Sequence, residues 1–303
     1  MPMRAIAVSG GLVAGLIVGV PAAAAEPVCT SEISPKIAKR LSGEIRSALR
    51  GRSGTISVAL YDRERHLSCW VGASRRYDSA STVKVTIVAA LLRSAQKRGL
   101  TAREKSLARA AITRSDNNAT SALWSQLGRA RIQRLLDLAG MKSTRLGPGG
   151  LWGLTQITAH DELRLLMLLT RKDTAKYKEK VLTARSRRYL LGLMHSVTPS
   201  QRWGTPAGVP KGVSVHVKNG WLPRRTHGWR VHSLGTFDGR KRDYMLVVLT
   251  HGNSSMSYGI RSIERVAHAA HSALNPETSA RFLRSPVEEI SDGSAPFEPV
   301  DGW

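Results

Sequence analysis

The sequence predicts a mixed α/β fold of the α+β type. A five-stranded antiparallel sheet is flanked by the N- and C-terminal helices, and an all-helical subdomain is inserted into it. Two strand-like runs follow the first helical segment, and three more precede the last one. The apolar patterns between these two groups have helical spacing. We therefore expect the sheet to form from both ends of the chain, with a cleft where it meets the insert.

Each element has its own signal. Residues 34–50 place apolar side chains at four-residue intervals, which is typical of a helix with one apolar stripe, and residues 258–274 form a second amphipathic pattern. The predicted strands, with alternating or continuous apolar positions, cover residues 55–61, 66–71, 213–218, 229–237 and 244–250. Further helices of the insert, which spans about residues 75–210, are predicted at 101–113, 118–128, 130–139, 158–169 and 185–195.

The first 25 residues have the layout of a secretory signal peptide (residues 1–25). Arg4 is followed by an apolar run from Ala5 to Val20 and then by small residues. The run is shorter than the ~20 residues that a membrane-spanning helix needs. We therefore expect a secreted, extracellular protein with one folded domain over residues 26–285.

The chain is strongly basic, with 46 Lys and Arg against 22 Asp and Glu, a net charge of +24 and a pI of about 11.1. Such a field favours polyanions: nucleic acid, an anionic membrane or an anionic cell-wall polymer. An exported protein does not meet most intracellular nucleic acid, which is therefore excluded as a partner. The basic residues are also dispersed along the chain without a recognition motif. We expect a monomer with no specific nucleic-acid partner, and a cell-wall polymer stays a candidate.

The last 18 residues, 286–303, differ from the rest of the chain, because they carry five acidic side chains and no basic one. Pro, Gly and Ser interrupt them throughout, which predicts a disordered tail. An alternative left open is that this tail folds back over a basic groove.

Cys29 and Cys69 are the two cysteines of the chain. In an oxidising compartment such a pair usually forms a disulfide, here between the mature N-terminus and a strand. Neither cysteine has a neighbour that resembles a metal ligand, so a structural bridge is expected. We expect no cofactor and no metal, because the sequence has no Gly-rich phosphate loop and no zinc-like spacing.

The run over residues 77–95 begins with the Ser-x-x-Lys pair Ser81 and Lys84 and continues with apolar residues at helical intervals. This spacing predicts a buried helix with Ser79 or Ser81 as its N-cap. Ser81 and Lys84 then lie on the same face. An amine held beside a hydroxyl in an apolar setting can lose its proton and activate that hydroxyl as a nucleophile.

Two more motifs follow, Ser-Asp-Asn at residues 115–117 and Lys-Asn-Gly at residues 218–220. In this order the three motifs resemble the signature of the serine penicillin-recognising enzymes, specifically the class A β-lactamase family. The resemblance covers roughly residues 55–274 and is strongest over residues 103–119. It implies the β-lactamase/transpeptidase-like fold, which agrees with the strand order inferred above.

The resemblance also implies catalytic roles. Ser81 would attack a strained lactam or a peptide carbonyl and become acylated. Lys84 is similar to the family's base or proton relay, and Lys218 would lower the pKa of Lys84 as a second cation facing the same cleft. Ser115 would pass the proton to the departing nitrogen.

Four residues are expected to bind substrate. Asn117 would hold the amide side chain of the substrate, and Asn219, with the lysine before it, would attract its carboxylate. Gly220 completes the motif. The backbone N–H group of Trp221, together with that of Ser81, would form the oxyanion hole.

The chain departs from the family at its third motif and at one loop. Asn219 stands where Thr or Ser is usual, and its carboxamide can still donate a hydrogen bond. The loop over residues 145–158, where the family carries the Glu that activates the deacylating water, contains no acidic residue. Gln156 could position a water but cannot accept its proton. His160 could accept one, and Asp161 or Glu162 would reach it only if the loop folds unusually; none stands where the resemblance predicts a base. Deacylation therefore has no assigned base.

These observations predict a secreted serine hydrolase that acts through a Ser81 acyl-enzyme and hydrolyses β-lactams slowly. One alternative is a penicillin-binding D,D-peptidase that acts on acyl-D-Ala-D-Ala ends of cell-wall peptides. A second alternative is a non-catalytic protein of the same fold that binds the cell wall through its charge.

Overall fold

The computed structural model describes residues 28–172, 181–277 and 289–296. Its strands are β1 (Cys29–Thr30), β2 (Thr55–Asp62), β3 (Leu67–Val71), β4 (Arg76–Asp78), β5 (Gln156–Thr158), β6 (Ser214–Pro223), β7 (Trp229–Gly239) and β8 (Arg242–Asn253). The main sheet has the order β1-β3-β2-β8-β7-β6 with antiparallel neighbours, and β4 pairs with β5 separately. The predicted class and the five antiparallel strands are confirmed, and the two-residue β1 adds a sixth at one edge.

The helices divide into a pair on the sheet and a group in the insert. They are α1 (Pro35–Leu49), α2 (Val83–Ser94), α3 (Ala102–Thr113), α4 (Asn117–Ala139), α5 (Ala159–Leu169), α6 (Ala184–His195) and α7 (Met256–Leu274). The terminal helices α1 and α7 pack against each other, and α7 lies on β7 and β8. Leu41 and Ile45 of α1 face this layer with Ile263 and Val266 of α7, all fully buried. The apolar stripes therefore do what their spacing predicts.

The helix α2 is the centre of the insert. All ten residues from Val83 to Leu92 are buried, and α2 packs against α3, α4 and α6. A helix that is apolar on most sides is stable only inside a core. Its start differs from the prediction, because Ala80–Thr82 form a separate 3-10 turn and neither Ser79 nor Ser81 caps α2 with its side chain.

One element boundary confirms the sequence prediction and another differs from it. The helices predicted at 118–128 and 130–139 are the two segments of α4, which are separated at Gly128 by a non-helical backbone with φ of 67° and ψ of 161°. The strand β6 runs to Pro223, five residues beyond its predicted end. As a result Lys218, Asn219 and Gly220 lie within a strand instead of at its end.

The N-terminal part of the chain is bonded to the sheet by a disulfide. Cys29 and Cys69 face each other in the register of β1 and β3 and are bridged. Both are buried. The predicted disulfide is therefore confirmed, and it encloses the first helix and β2.

Some predictions lie outside the described residues. The signal peptide (1–25) and the tail residues 286–288 and 297–303 belong here. Within the three described ranges, no helix has the length and apolar character needed to cross a membrane. Residues 289–296 of the acidic tail are described, and they lie in the cleft between sheet and insert.

Reduction of the Cys29–Cys69 bridge is expected to lower the free energy of unfolding by about 2–4 kcal/mol, because the unfolded chain gains conformational freedom across a separation of 40 residues. Denaturant unfolding with and without reductant measures this change. The variant that carries Cys29→Ala and Cys69→Ala should be insensitive to reductant. An equal response of both proteins to reductant would contradict the expectation.

Candidate active site

Ser81 sits on a strained turn at the head of α2. The residue before it, Ala80, has φ of 47°, which is the left-handed region that favours glycine. Such a conformation in a non-glycine residue costs on the order of 1–3 kcal/mol and persists only where its surroundings fix it. The Ser81 side chain is buried, and within the described residues its Oγ has no hydrogen-bond partner. The turn therefore holds a hydroxyl that is free to react.

The strand β6 approaches this turn as closely as backbones allow. A Cβ atom at Gly220 would lie 2.7 Å from the amide nitrogens of both Ser81 and Thr82. No side chain is compatible with that distance. Because of this contact, the next residue on the strand, Trp221, presents its N–H beside that of Ser81.

Both N–H groups donate to one oxygen. Ser81 N lies 3.0 Å and Trp221 N lies 3.3 Å from Oδ2 of Asp292, a residue of the acidic tail. Two donors on one anionic oxygen are the geometry of an oxyanion hole. In this structure the stand-in for the oxyanion is a carboxylate of the chain itself.

Lys84 lies at the bottom of the cleft with no exposed surface. Its Nζ donates to the backbone oxygen of Ser115 at 2.5 Å, to Ser115 Oγ at 3.0 Å and to Asn117 Oδ1 at 2.7 Å. Burial lowers the pKa of Lys84 to about 8, and Asp292 and Asp116 oppose this shift. The amine is therefore neutral in a useful fraction of molecules near neutral pH.

Lys218 reaches the same hydroxyl from the sheet side. Its Nζ donates to Ser115 Oγ at 3.0 Å and to the Asn219 backbone oxygen at 2.7 Å. Burial, and then the neighbouring Lys84 cation, hold the pKa of Lys218 well below its usual value. The family resemblance implies that Lys218 lowers the pKa of Lys84. In the structure the main cause for Lys84 is instead its own burial.

The predicted substrate-binding residues have different environments. Asn117 points into the cleft and donates through Nδ2 to the Asp292 backbone oxygen at 2.7 Å. Asn219 instead donates its amide hydrogens to the backbone oxygens of Gln201 at 2.9 Å and Trp203 at 3.0 Å. The carboxylate-binding role of Asn219 stays a prediction, and it would require at least one of these bonds to break.

The loop over residues 145–158 brings an aromatic ring close to Lys84. The Trp152 ring lies 4.9 Å from Lys84 Nζ. Gln156, considered above as a water-positioning residue, donates to the carboxylate of Asp78. Neither contact supplies a proton acceptor for a deacylating water.

The two acidic side chains after this loop, Asp161 and Glu162, are buried within the fold. Asp161 accepts hydrogen bonds from Ser143 N and from Thr144 Oγ1, both at 2.8 Å. Glu162 is fully buried, and burial raises its pKa to about 8. The His160 ring lies 5.3 Å from the ring of the exposed Trp70 at a tilt of 47°.

Sequence reasoning missed Asp292 and Trp152 as members of the site. Asp292 had a weak signal, namely an acidic tail on a chain of net charge +24, which suggests the alternative of a fold back over a basic groove. Trp152 had no signal, because a tryptophan in a Gly-rich loop gives no indication of what it packs against. In the described part of the chain, no group of three or more His, Cys, Asp or Glu is placed to hold a metal ion.

The arrangement has a recognisable chemistry. One cleft contains the Ser81 hydroxyl, an amine of lowered pKa, a second hydroxyl between two amines and a pair of N–H donors.

A family model described as the beta-lactamase enzyme family matches residues 96–274. The chain belongs to this family. The match includes the Ser115 and Lys218 motifs, whereas the Ser81 motif precedes it.

Solved β-lactamase structures share the fold of this family member. A beta lactamase from Xanthomonas campestris pv. campestris is 18% identical, with a TM-score of 0.65 over 78% of this chain and 98% of that one. A variant of the class A ancestor of Gram-negative bacteria is 20% identical, with a TM-score of 0.65 over 80% and 100%. A mutant of PBP-A, in an acyl-enzyme complex with penicillin G, is 19% identical, with a TM-score of 0.65 over 78% and 96%. No curated protein sequence matches the chain. Family and fold support a serine hydrolase of the β-lactamase or penicillin-binding type.

Replacement of Gly220 by Ala is expected to destabilise the protein by about 1–3 kcal/mol, because the added methyl group forces the strand away from the Ser81 turn. Denaturant unfolding measures the change. Gly43→Ala is the matched control, since a Cβ there meets nothing within 4 Å and lies on a helix. The expectation fails if both variants unfold at the same denaturant concentration.

Proposed function

We propose that this β-lactamase family member is a secreted serine hydrolase that forms an acyl-enzyme on Ser81 and hydrolyses β-lactams slowly. One observation carries the proposal. The N–H groups of Ser81 and Trp221 converge on a single oxygen, at 3.0 and 3.3 Å, next to a Ser81 hydroxyl that has no hydrogen-bond partner in the described part of the chain. An oxyanion formed when that hydroxyl attacks a carbonyl would occupy the same place.

Acylation requires three proton transfers, which Lys84 and Ser115 carry out. Neutral Lys84 accepts the proton of Ser81 as its Oγ bonds to the carbonyl carbon. This transfer requires the two side chains to come into contact, because Lys84 Nζ bonds to Ser115 and Asn117 in the structure and not to Ser81 Oγ. Ser115 Oγ accepts hydrogen bonds from Lys84 and Lys218, which uses both of its lone pairs. Its own O–H is then left to donate to the lactam nitrogen as the C–N bond breaks. Lys84 returns a proton to Ser115, so charge is balanced at the end of the step.

Deacylation is slow in this proposal, because the loop expected to carry the base for the water offers no carboxylate among its residues. The loop over residues 145–158 has no acidic residue, and Trp152 covers Lys84 on that side. Water that does enter must lose its proton to Lys84 or reach the ester without help. The acyl-enzyme would therefore accumulate.

Secretion is part of the same proposal. It rests on the signal-peptide layout of residues 1–25 and is supported by the Cys29–Cys69 disulfide, since such bridges persist in oxidising compartments.

A second candidate function is a D,D-peptidase on cell-wall peptides that penicillin blocks. One contact favours it: the Trp221 backbone oxygen accepts a hydrogen bond from a peptide N–H, that of Asp292, at 3.2 Å. The edge strand β6 thus offers a backbone oxygen that could bind the N–H group of a peptide substrate in the cleft. Release of D-alanine from an acyl-D-Ala-D-Ala peptide, measured beside penicillin turnover, distinguishes the two substrates.

Mixing the protein with benzylpenicillin is expected to give one covalent adduct, seen by intact mass, that persists for minutes to hours. Ser81→Ala removes the nucleophile and should give no adduct. Ser94→Ala, an exposed serine on the same helix, should leave adduct formation unchanged. A protein without any adduct that still binds cell wall in a salt-sensitive manner would instead be the non-catalytic alternative.

The rate of acylation is expected to rise with pH and to level off at or below about pH 8, because the neutral form of Lys84 is the base, burial lowers its pKa to about 8, and substrate displaces the Asp292 carboxylate that opposes this shift. Below that pH the rate should fall by about tenfold per pH unit. The profile is measured from the amount of adduct in samples quenched at successive times, at pH values of about 5.5 to 9.5. Lys84→Arg should abolish this rising limb, and Lys97→Arg, at an exposed position, should retain it. A flat profile in the unsubstituted protein rules Lys84 out as the base.

A further inference from the structure

The cleft contains a part of the chain itself. Residues 289–296, which we call the C-terminal strap, lie between β6 and the Asn117 end of α4. The strap enters with Ile290, whose backbone oxygen accepts from Trp221 Nε1 at 2.8 Å. Asp292 follows, with one carboxylate oxygen in the oxyanion hole and the other accepting from Ser294 N at 2.9 Å.

The backbone of the strap is bound as well as its carboxylate. Asp292 N donates to the Trp221 backbone oxygen at 3.2 Å, and the Asp292 oxygen accepts from Asn117 Nδ2 at 2.7 Å. These are the groups that are proposed above to hold a substrate amide. The strap therefore uses both the charge-binding and the amide-binding parts of the cleft.

Contacts away from the reacting atoms fix the strap at both ends. The Glu289 carboxylate accepts from the N–H groups of Met256 and Ser257, both at 3.2 Å, at the N-terminus of α7. At the other end Ser294 is buried, and its backbone oxygen occupies the space that a side chain at Gly153 would need. A segment that binds both walls of the cleft excludes any other occupant.

The charge of Asp292 also acts on the proposed base. Its carboxylate opposes the burial that lowers the pKa values of Lys84 and Lys218. With the strap in place, a larger fraction of Lys84 is protonated and unable to accept a proton from Ser81. The strap therefore blocks the oxyanion hole and weakens the base together.

The strap is not itself a substrate at this position. A carboxylate has no leaving group other than an oxide or hydroxide, so attack by Ser81 on its carbon leads to no stable acyl-enzyme. Asp292 resembles instead the acid that hydrolysis of an acyl-enzyme releases. A product-like anion at the end of a tethered segment is an intramolecular inhibitor with a high effective concentration.

We propose that the C-terminal strap is a built-in inhibitor of this site, with Asp292 in the oxyanion hole, and that substrate binds only to molecules in which the strap has left. This inference rests on the proposed acyl-enzyme function. Because only the open fraction is competent, the apparent affinity for any acylating compound falls in proportion to that fraction.

The first test compares acylation by benzylpenicillin in the full chain and its variants. Asp292→Ala is expected to be acylated at least about tenfold faster than the unsubstituted protein, with Asp292→Asn between the two. Glu32→Gln removes one negative charge at an exposed position and should match the unsubstituted protein. Equal rates for all four proteins, or a slower rate for Asp292→Ala, would overturn the proposal.

The second test releases the strap from folded protein. A recognition sequence for a specific protease is inserted between Ser279 and Ala280, and acylation is measured before and after cleavage and removal of the fragment. Cleavage should accelerate acylation, and a synthetic peptide of residues 286–303 should reverse this, whereas the same peptide with Asp292→Ala should not.

Calorimetric binding of these two peptides to the cleaved protein separates the two proposals. If no form of the protein is acylated but the peptide binds and its Asp292→Ala version does not, the acyl-enzyme function fails and the assignment of the strap to the cleft stands. If cleaved protein is acylated but neither peptide binds or inhibits, the strap proposal fails and the acyl-enzyme function stands.

Discussion

The candidate site depends on one close approach, between the middle of β6 and the turn that carries Ser81. At Gly220 the strand lies so near to the Ser81 and Thr82 nitrogens that only hydrogen fits between them. The approach aligns two N–H groups that come from different halves of the protein and lie far apart in sequence. It also holds Ala80 in its left-handed conformation. The nucleophile, the oxyanion hole and the junction of sheet and insert are therefore aspects of a single contact.

Two buried lysine side chains set the electrostatics of the cleft. Burying one ammonium group away from water costs several kcal/mol. For two such groups the cost is on the order of the whole free energy of unfolding of a protein. Lys84 and Lys218 offset part of this through Ser115, Asn117 and backbone oxygens. Hydrogen bonds donated to neutral acceptors leave the positive charge in place. An anion in the cleft is therefore favourable for the folded protein, whether a ligand or Asp292 supplies it.

The sequence could predict the parts of this site that depend on order and periodicity. The spacing of Ser81 and Lys84 and the burial of α2 follow from local pattern, and the alternating strands fix the sheet. Contacts between segments that are far apart in the chain could not be predicted from the sequence. The partner of the Ser81 amide is 211 residues away, and the ring over Lys84 comes from a loop without periodicity. The start of α2 was also mispredicted, because β6 decides the geometry of that turn more than capping preference does.

The strap binds more than the cleft. Glu289 bonds to the first N–H groups of α7, the long helix that covers the sheet. A compound that displaces the strap thus removes the hydrogen bonds of Glu289 to the N-terminus of α7. The compound then takes the place of the strap in the cleft. The rise in melting temperature on binding then reports only the difference between the two. Compound screens based on thermal shifts would overlook many true ligands of such a protein, and covalent labelling would recover them.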